Sequence, residues 1–261
     1  MTANNLQVVL IGSGNVASAL ADALTRAGAS IIQVYDRNIA KAKKLGQQYG
    51  AKAIDQLSSI TRQPAFVIIA VKDDAIAGIA KEIKIKEGIV VHTSGAVPMN
   101  VLKKFSQHGI FYPLQTFTAG RKISFENVPV CLEAGDYETL FSLSNIAESI
   151  SSQVYHLDSK QREAVHLAAV FANNFTNSMY VIAEEIAEQN NLPFDILRPL
   201  ISETAEKIKM LSPSQTQTGP AARADMRVIK KQLSLFKKHP GLKKIYVSVT
   251  NEILARGKKK K

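Results

Sequence analysis

The run from Leu6 to Ala17, LQVVLIGSGNVA, constrains this chain more than any other stretch: an apolar strand passes directly into Gly12-x-Gly14-x-x-Ala17 and then into an amphipathic helix. A strand that turns so tightly into a helix opens a βαβ unit. Gly12 permits the turn, Gly14 leaves backbone open to a ligand, and Ala17 lets the helix pack close to the strand. The first-turn amides of such a helix are oriented to hold a phosphate. The context agrees. The helix expected over Val16 to Ala27 ends at Gly28, and a second apolar strand, Ser30 to Tyr35, ends on Asp36, where an acid that accepts from an adenosine ribose falls. These residues predict a dinucleotide site built from Gly12, Ser13, Gly14, Asn15, Val16, Asp36 and Arg37. Asp36 accepts from a 2′-hydroxyl and repels a 2′-phosphate, whereas Arg37 with Lys41 or Lys43 welcomes a phosphate. Both NAD and NADP stay open, with the balance falling narrowly to NAD.

A chain of 261 residues with 46% hydrophobic side chains can bury one large core or two moderate ones. No apolar run is long enough to span a bilayer, and the N-terminus lacks the succession of a secretory signal, so a soluble, cytoplasmic protein is expected. The lone cysteine, Cys131, sits in the apolar run VPVCLEA and reads as a strand core residue without a chemical role. The net charge of +11 is largely local, in Lys258 to Lys261 and in the lysines between Lys230 and Lys244. Without aromatic interleaving or a base-reading motif, such charge implies attraction for anionic ligands rather than specific nucleic-acid recognition.

The first half alternates strand and helix. Ala65 to Val71 and Gly88 to His92 read as buried parallel strands, with helices expected around Ala75 to Glu82 and Val97 to Phe105. Short apolar runs at Ile110 to Tyr112, Val128 to Leu132 and Val154 to Leu157 extend the sheet. From Ser159 the period becomes helical: one long helix over Lys160 to Asn190, another over Phe194 to Leu211, a polar loop, a helix over Ala221 to Lys238, and a last one after Pro240. The fold class expected is α/β, a doubly wound Rossmann domain over residues 1–158 followed by an all-α domain over 159–261. A small-molecule substrate would sit in the cleft between them.

Three segments fall at the C-terminal ends of expected strands, the edge at which open parallel sheets bind ligands. Val71 and Lys72 end one strand and would pass beside the dinucleotide. His92-Thr93-Ser94-Gly95 ends the next, where Ser94 or Thr93 either bonds the nicotinamide end or caps the following turn. Tyr112-Pro113-Leu114-Gln115-Thr116 ends the third, with the Pro113 bond open to either isomer. In the helical half, His166, Asn173 and Asn177 fall within about 40° of one another at ~100° per residue, with Asn174 beside them. That polar stripe is either a substrate pocket, in which His166 exchanges a proton, or a packing network at a domain or subunit contact. Thr218 and Pro220 read as the start of a helix that, with Arg223, makes an anion site; the alternative is an ordinary capped helix. No metal ligands are assigned.

Taken together, GSGNVA, VIIAVKDDAI, HTSGAVP, YPLQTF, HLAAVFANNFTN and QTGPAARAD resemble, over nearly the whole chain, a bacterial family of Rossmann-like proteins with a C-terminal helical domain of unknown function. The resemblance implies an NAD(P)-dependent oxidoreductase, some members being similar to deazaflavin-dependent NADP reductases. The layout also resembles 3-hydroxyisobutyrate and 6-phosphogluconate dehydrogenases and pyrroline-5-carboxylate reductase. The hydroxyacid dehydrogenases carry a catalytic lysine three residues before a helical Asn pair; placed on Asn173-Asn174, that position is Val170, so their acid/base group is missing and His166 is the evident replacement.

The expected activity is hydride transfer between a nicotinamide and a small carbonyl, imine or alcohol. His166 would move the proton, Asn173 and Asn177 would hold the reacting atom, and Gln115 or Arg223 would bind the rest of the substrate. The long apolar helix offers a homodimer surface. A nucleotide-binding sensor or structural protein that transfers no hydride is one alternative, and a deazaflavin-dependent NADP reductase, which needs a second flat cofactor pocket, is another.

Overall fold

A computed structural model describes residues 2–121, 123–236 and 239–258; Lys237, Lys238 and Lys259 to Lys261, which carry part of the basic charge, lie outside that range. The chain forms two compact units, one running to Asn174 and one starting at Phe175. Among the described residues no helix is long and apolar enough to cross a membrane.

The first unit is a sheet of eight strands in the order β3-β2-β1-β4-β5-β6-β7-β8. The strands are β1 Gln7–Ile11, β2 Ser30–Tyr35, β3 Lys52–Ile54, β4 Phe66–Ile69, β5 Ile89–His92, β6 Gln107–Pro113, β7 Val130–Ala134 and β8 Val154–His156. All pairings are parallel except β6 with β7. The apolar runs at Ile110, Val128 and Val154 thus extend the sheet as expected, and the Rossmann-like α/β class holds. Pro113 closes β6 in register with Val130, and no cis peptide occurs among the described residues.

Alternation along each strand divides the core. Val8 and Leu10 face one side with Leu20 and Leu24 of helix α1 (Asn15–Arg26), Leu45 of α2 (Ile39–Tyr49) and Leu143 and Ile146 of α4 (Tyr137–Glu148). Val9 and Ile11 face the other with Ile76 and Ala80 of α3 (Asp73–Glu82). Cys131 is buried in β7, and burial pushes its thiol up to about 11, which agrees with a core residue of no chemical role. The segment after Pro98 makes only a 3-10 turn, Met99–Leu102, in place of the helix expected from Val97.

Helix α5 (Ser159–Ala169) opens on an Asp158–Gln161 capping box and runs into a π turn, Val170–Phe175, before α6 (Thr176–Glu188). The single long helix expected over Lys160 to Asn190 is therefore two α-helices with a π turn between them. The division between units falls inside this segment rather than at Asp158, because α5 sends a buried arginine into the sheet unit.

In the second unit, a 3-10 turn at Phe194–Leu197 precedes α7 (Arg198–Met210), followed by the short α8 (Pro213–Thr216), α9 (Met226–Leu235) and α10 (Pro240–Lys258). The helix expected from Ala221 begins only at Met226, capped by the Asp225 carboxylate, which accepts from Val228 N–H.

Candidate active site and dinucleotide cleft

Strand order reverses between β1 and β4, and a cleft of about 630 Å³ opens at their C-terminal edge. Its walls include Gly12, Ser13, Gly14, Asn15, Val16, Asp36, Arg37, Lys41, Val71, Lys72 and Thr93. Gly12 has φ +112°, and a Cβ there would stand 2.2 Å from the Ala70 carbonyl oxygen, so the turn out of β1 must be glycine. A Cβ on Gly14 would meet nothing within 4 Å: this backbone faces open space. Gly14 is also the N-cap of α1, no side chain caps that end, and its first turn holds no acid. Free amides at a helix N-terminus beside an open cleft are a cradle for phosphate. The residues present fit a dinucleotide.

At the far end, Asp36 accepts from Ser13 Oγ at 2.5 Å through one oxygen and from Asn38 N–H at 2.9 Å through the other. Both carboxylate oxygens already have partners, while Arg37 and Lys41 stand on the same wall. Asn15 donates through Nδ2 to the Phe117 carbonyl at 2.9 Å, tying the start of α1 to the loop after β6.

Ser94 departs from the expectation that it meets the nicotinamide end. It is buried, and its hydroxyl accepts from Ala96 and Val97 N–H, which is the capping alternative. Thr93 lines the cleft instead.

Next to this cleft, and sharing Gln115 and Thr116 with it, lies a cavity of about 500 Å³. Tyr112, His166, Asn173 and Asn174 line it, with Leu114, Val165, Ala169 and Val170 as apolar wall. The structure thus brings His166, Asn173 and Gln115 together within the first unit. Tyr112 of β6 bonds His166 of α5, Oη to Nδ1, at 3.0 Å. Burial pushes the Tyr112 phenol up to about 12, so it stays protonated and can donate this bond to Nδ1 of His166. Both rings lie on Gly95: a Cβ there would stand 2.6 Å from His166 Nδ1 and 2.8 Å from Tyr112 Cζ.

Beneath the pair, Arg162 of α5 is 1% exposed. Its Nε donates to Glu133 Oε2 at 3.0 Å, and its Nη1 to the carbonyls of Gly95 at 2.7 Å and Ser94 at 3.3 Å. Ser159 holds the other Glu133 oxygen. His92, fully buried on β5, accepts Ser94 N–H at Nδ1, and burial with the nearby Arg162 charge lowers it to about 4.

Two expected residues fall elsewhere. Asn177 lies in the second unit, on a cavity with Tyr180, Glu184 and Arg198. Arg223 is also in the second unit, exposed, in a turn before α9 whose N-terminus is already satisfied by Asp225.

Tyr112 was visible in the sequence only as part of a strand-end segment, and Arg162 not at all. Their signal was spacing: Arg162 and His166 are four apart on one helix, hence on one face.

A Rossmann-like domain model matches residues 1–116, and a domain of unknown function, DUF2520, matches residues 128–253. A candidate NADP oxidoreductase from Bacteroides fragilis is 39% identical, with a TM-score of 0.89 over 97% of this chain and 100% of that one. An imine reductase from Myxococcus stipitatus, solved with NADP+, has a TM-score of 0.67 at 15% identity over 96% and 95% of the two chains. A pyrroline-5-carboxylate reductase from Streptococcus pyogenes has 0.63 at 14% identity over 98% and 99%. No curated protein matches. With its glycine turn, its open cleft and both domain models in sequence, the chain belongs to the family that joins a Rossmann-like domain to a DUF2520 domain.

Proposed function

We propose that this chain is an NADP-dependent oxidoreductase acting on a small carbonyl or imine, or on the corresponding alcohol or amine. The observation that carries the reading is the Tyr112–His166 bond in the wall of a cavity that shares Gln115 and Thr116 with the dinucleotide cleft. Proton exchange and hydride transfer must happen at neighbouring atoms, and this arrangement brings a proton-bearing pair beside the cleft.

The nicotinamide supplies or takes the hydride when bound. Gly12, Gly14 and the first amides of α1 would hold the pyrophosphate, with Val71, Lys72 and Thr93 along the walls. NADP is favoured over NAD because Arg37 and Lys41 stand beside an Asp36 carboxylate already engaged by Ser13 and Asn38. The B. fragilis relative is described with the same cofactor.

His166 Nε2 donates its proton to the oxygen or nitrogen of the reacting double bond, and Nδ1 draws the Tyr112 hydroxyl proton in its place. In the reverse direction the same two protons return. Asn173 and Gln115 orient the substrate by hydrogen bonds, and the apolar wall favours a compact, weakly polar molecule.

The second unit supports the homodimer reading. Among its described residues only Ala187, Ile229 and Thr250 are buried, while Leu192, Ile196, Leu200, Ile208 and Leu211 are exposed. A helical unit with so little interior calls for a partner surface, and a second copy supplies one.

The test is a screen of cyclic imines, ketones and aldehydes with NADPH, following loss of nicotinamide absorbance. Turnover that disappears in Tyr112→Phe and His166→Ala while NADPH binding persists supports the reading. Turnover unaffected by either variant would overturn the assigned pair, and NADPH binding without turnover across the screen would favour the sensor.

A further inference from the structure

The loop after β5 is held from two sides. Tyr112 and His166 lie on Gly95 from the cavity side, and Arg162 grips the Ser94 and Gly95 carbonyls from within. Arg162 is the largest fully buried side chain of the protein's described residues. A buried guanidinium is costly unless fully paired, and this one is paired only in part. Nε meets Glu133 and Nη1 meets the two carbonyls, but Nη2 is buried without a hydrogen-bond partner among the described residues. Part of its positive charge is therefore left for its surroundings, in an interior where charges are felt strongly.

Tyr112 is among those surroundings. Asp73 at the start of α3 and Cys131, opposite Tyr112 in register on β7, both oppose ionisation of the phenol; Arg162 on α5 favours it. His92 on β5 is neutral near pH 7, and His166 is the phenol's hydrogen-bond partner. Arg162 is thus the cation that counters burial when Tyr112 gives its proton to His166.

We propose that Arg162 is a positioning residue for the Tyr112–His166 pair: its guanidinium fixes the Gly95 backbone on which both rings rest, and its charge steadies the tyrosinate that remains after proton release. The proposal rests on the reading of this pair as the proton-transfer group. Two bonds to hydrogen break in that step: the Nε2–H of His166, whose proton passes to the substrate oxygen or nitrogen, and the O–H of Tyr112, whose proton passes to Nδ1 of His166 and leaves the tyrosinate.

The experiment needs neither substrate nor cofactor, so its failure is separable from failure of the functional reading. The full chain is labelled with 3-fluorotyrosine, whose phenol ionises at lower pH than tyrosine, and the Tyr112 signal is identified in the 19F NMR spectrum by its loss in Tyr112→Phe. Its titration is compared in wild type, Arg162→Met and Arg162→Lys. The expected result is an upward shift of about one pH unit in Arg162→Met and a return towards wild type in Arg162→Lys, which keeps the charge. Because Arg162→Met leaves Glu133 uncompensated and can fail to fold, Glu133→Gln is compared with Glu133→Gln/Arg162→Met. Tyr112 titrating higher in the double variant supports the proposal. The same titration pH in folded proteins with and without the guanidinium overturns it.

Discussion

The Tyr112 hydroxyl lies 3.0 Å from Nδ1 of His166, with the two rings edge to face at 5.9 Å between centroids. The bond joins the end of a sheet strand to a helix within the family's second domain, and it engages Nδ1 of the imidazole. Tyr112→Phe keeps the ring on Gly95 and removes only this bond. Turnover is expected to fall ~10²–10⁴-fold in His166→Ala and by a smaller factor in Tyr112→Phe, with NADPH affinity unchanged. Steady-state rates beside equilibrium titrations check this.

Gly95 is required by packing rather than by backbone conformation. In Gly95→Ala the added methyl stands 2.6 Å from His166 Nδ1, so one ring must move. The expected cost is about 1–3 kcal/mol of stability. The 15N shift of Nδ1, which reports whether it accepts a hydrogen bond, should move to that of an unbonded nitrogen. Denaturant unfolding and imidazole 15N NMR read the two effects separately.

Cofactor preference should follow the wall charges. Removing a cation in Arg37→Ala or Lys41→Ala is expected to weaken NADPH about tenfold and leave NADH nearly unchanged. Asp36→Ala removes the repelling carboxylate and shifts preference further towards NADPH. Parallel titrations with both nucleotides check the ratio.

His92 gives the protein a pH dependence of defined sign. Its pKa falls from 6.5 to about 4 because burial, and then Arg162, penalise the charged ring. The unfolded chain binds the proton first as pH drops. The stability this neutral histidine contributes is therefore full above pH 6.5 and is lost progressively as pH falls towards 4. The loss is on the order of 3 kcal/mol. His92→Asn keeps an acceptor for Ser94 N–H and does not titrate, so its stability profile should be flatter across this window. Urea unfolding as a function of pH measures it.

The sheet was legible in the sequence because buried parallel strands are short apolar runs bounded by turn residues, and the dinucleotide cleft because Gly12 answers a local steric demand and Gly14 leaves the start of α1 open. The cavity was legible only in part. His166 and Asn173 follow from helical spacing within one unit; Asn177 belongs to the second unit, beyond a π turn that no residue type announces. The helix start expected at Ala221 was misplaced for a comparable reason: Thr218 and Pro220 imitate a helix start, while Asp225 supplies the actual cap. Tyr112 and Arg162 depend on chain segments distant in sequence meeting across the sheet, which periodicity within one element cannot report.

Every role assigned to the cavity depends first on the neighbouring cleft holding a nucleotide. NADPH should be titrated against the purified protein by its nicotinamide fluorescence, with Gly14→Asp as the comparison. Saturable NADPH binding is expected, tighter than NADH and lost in folded Gly14→Asp, whose carboxylate enters the space open beside α1. Absence of nucleotide binding, or binding indifferent to that carboxylate, would contradict the assignment of the cleft.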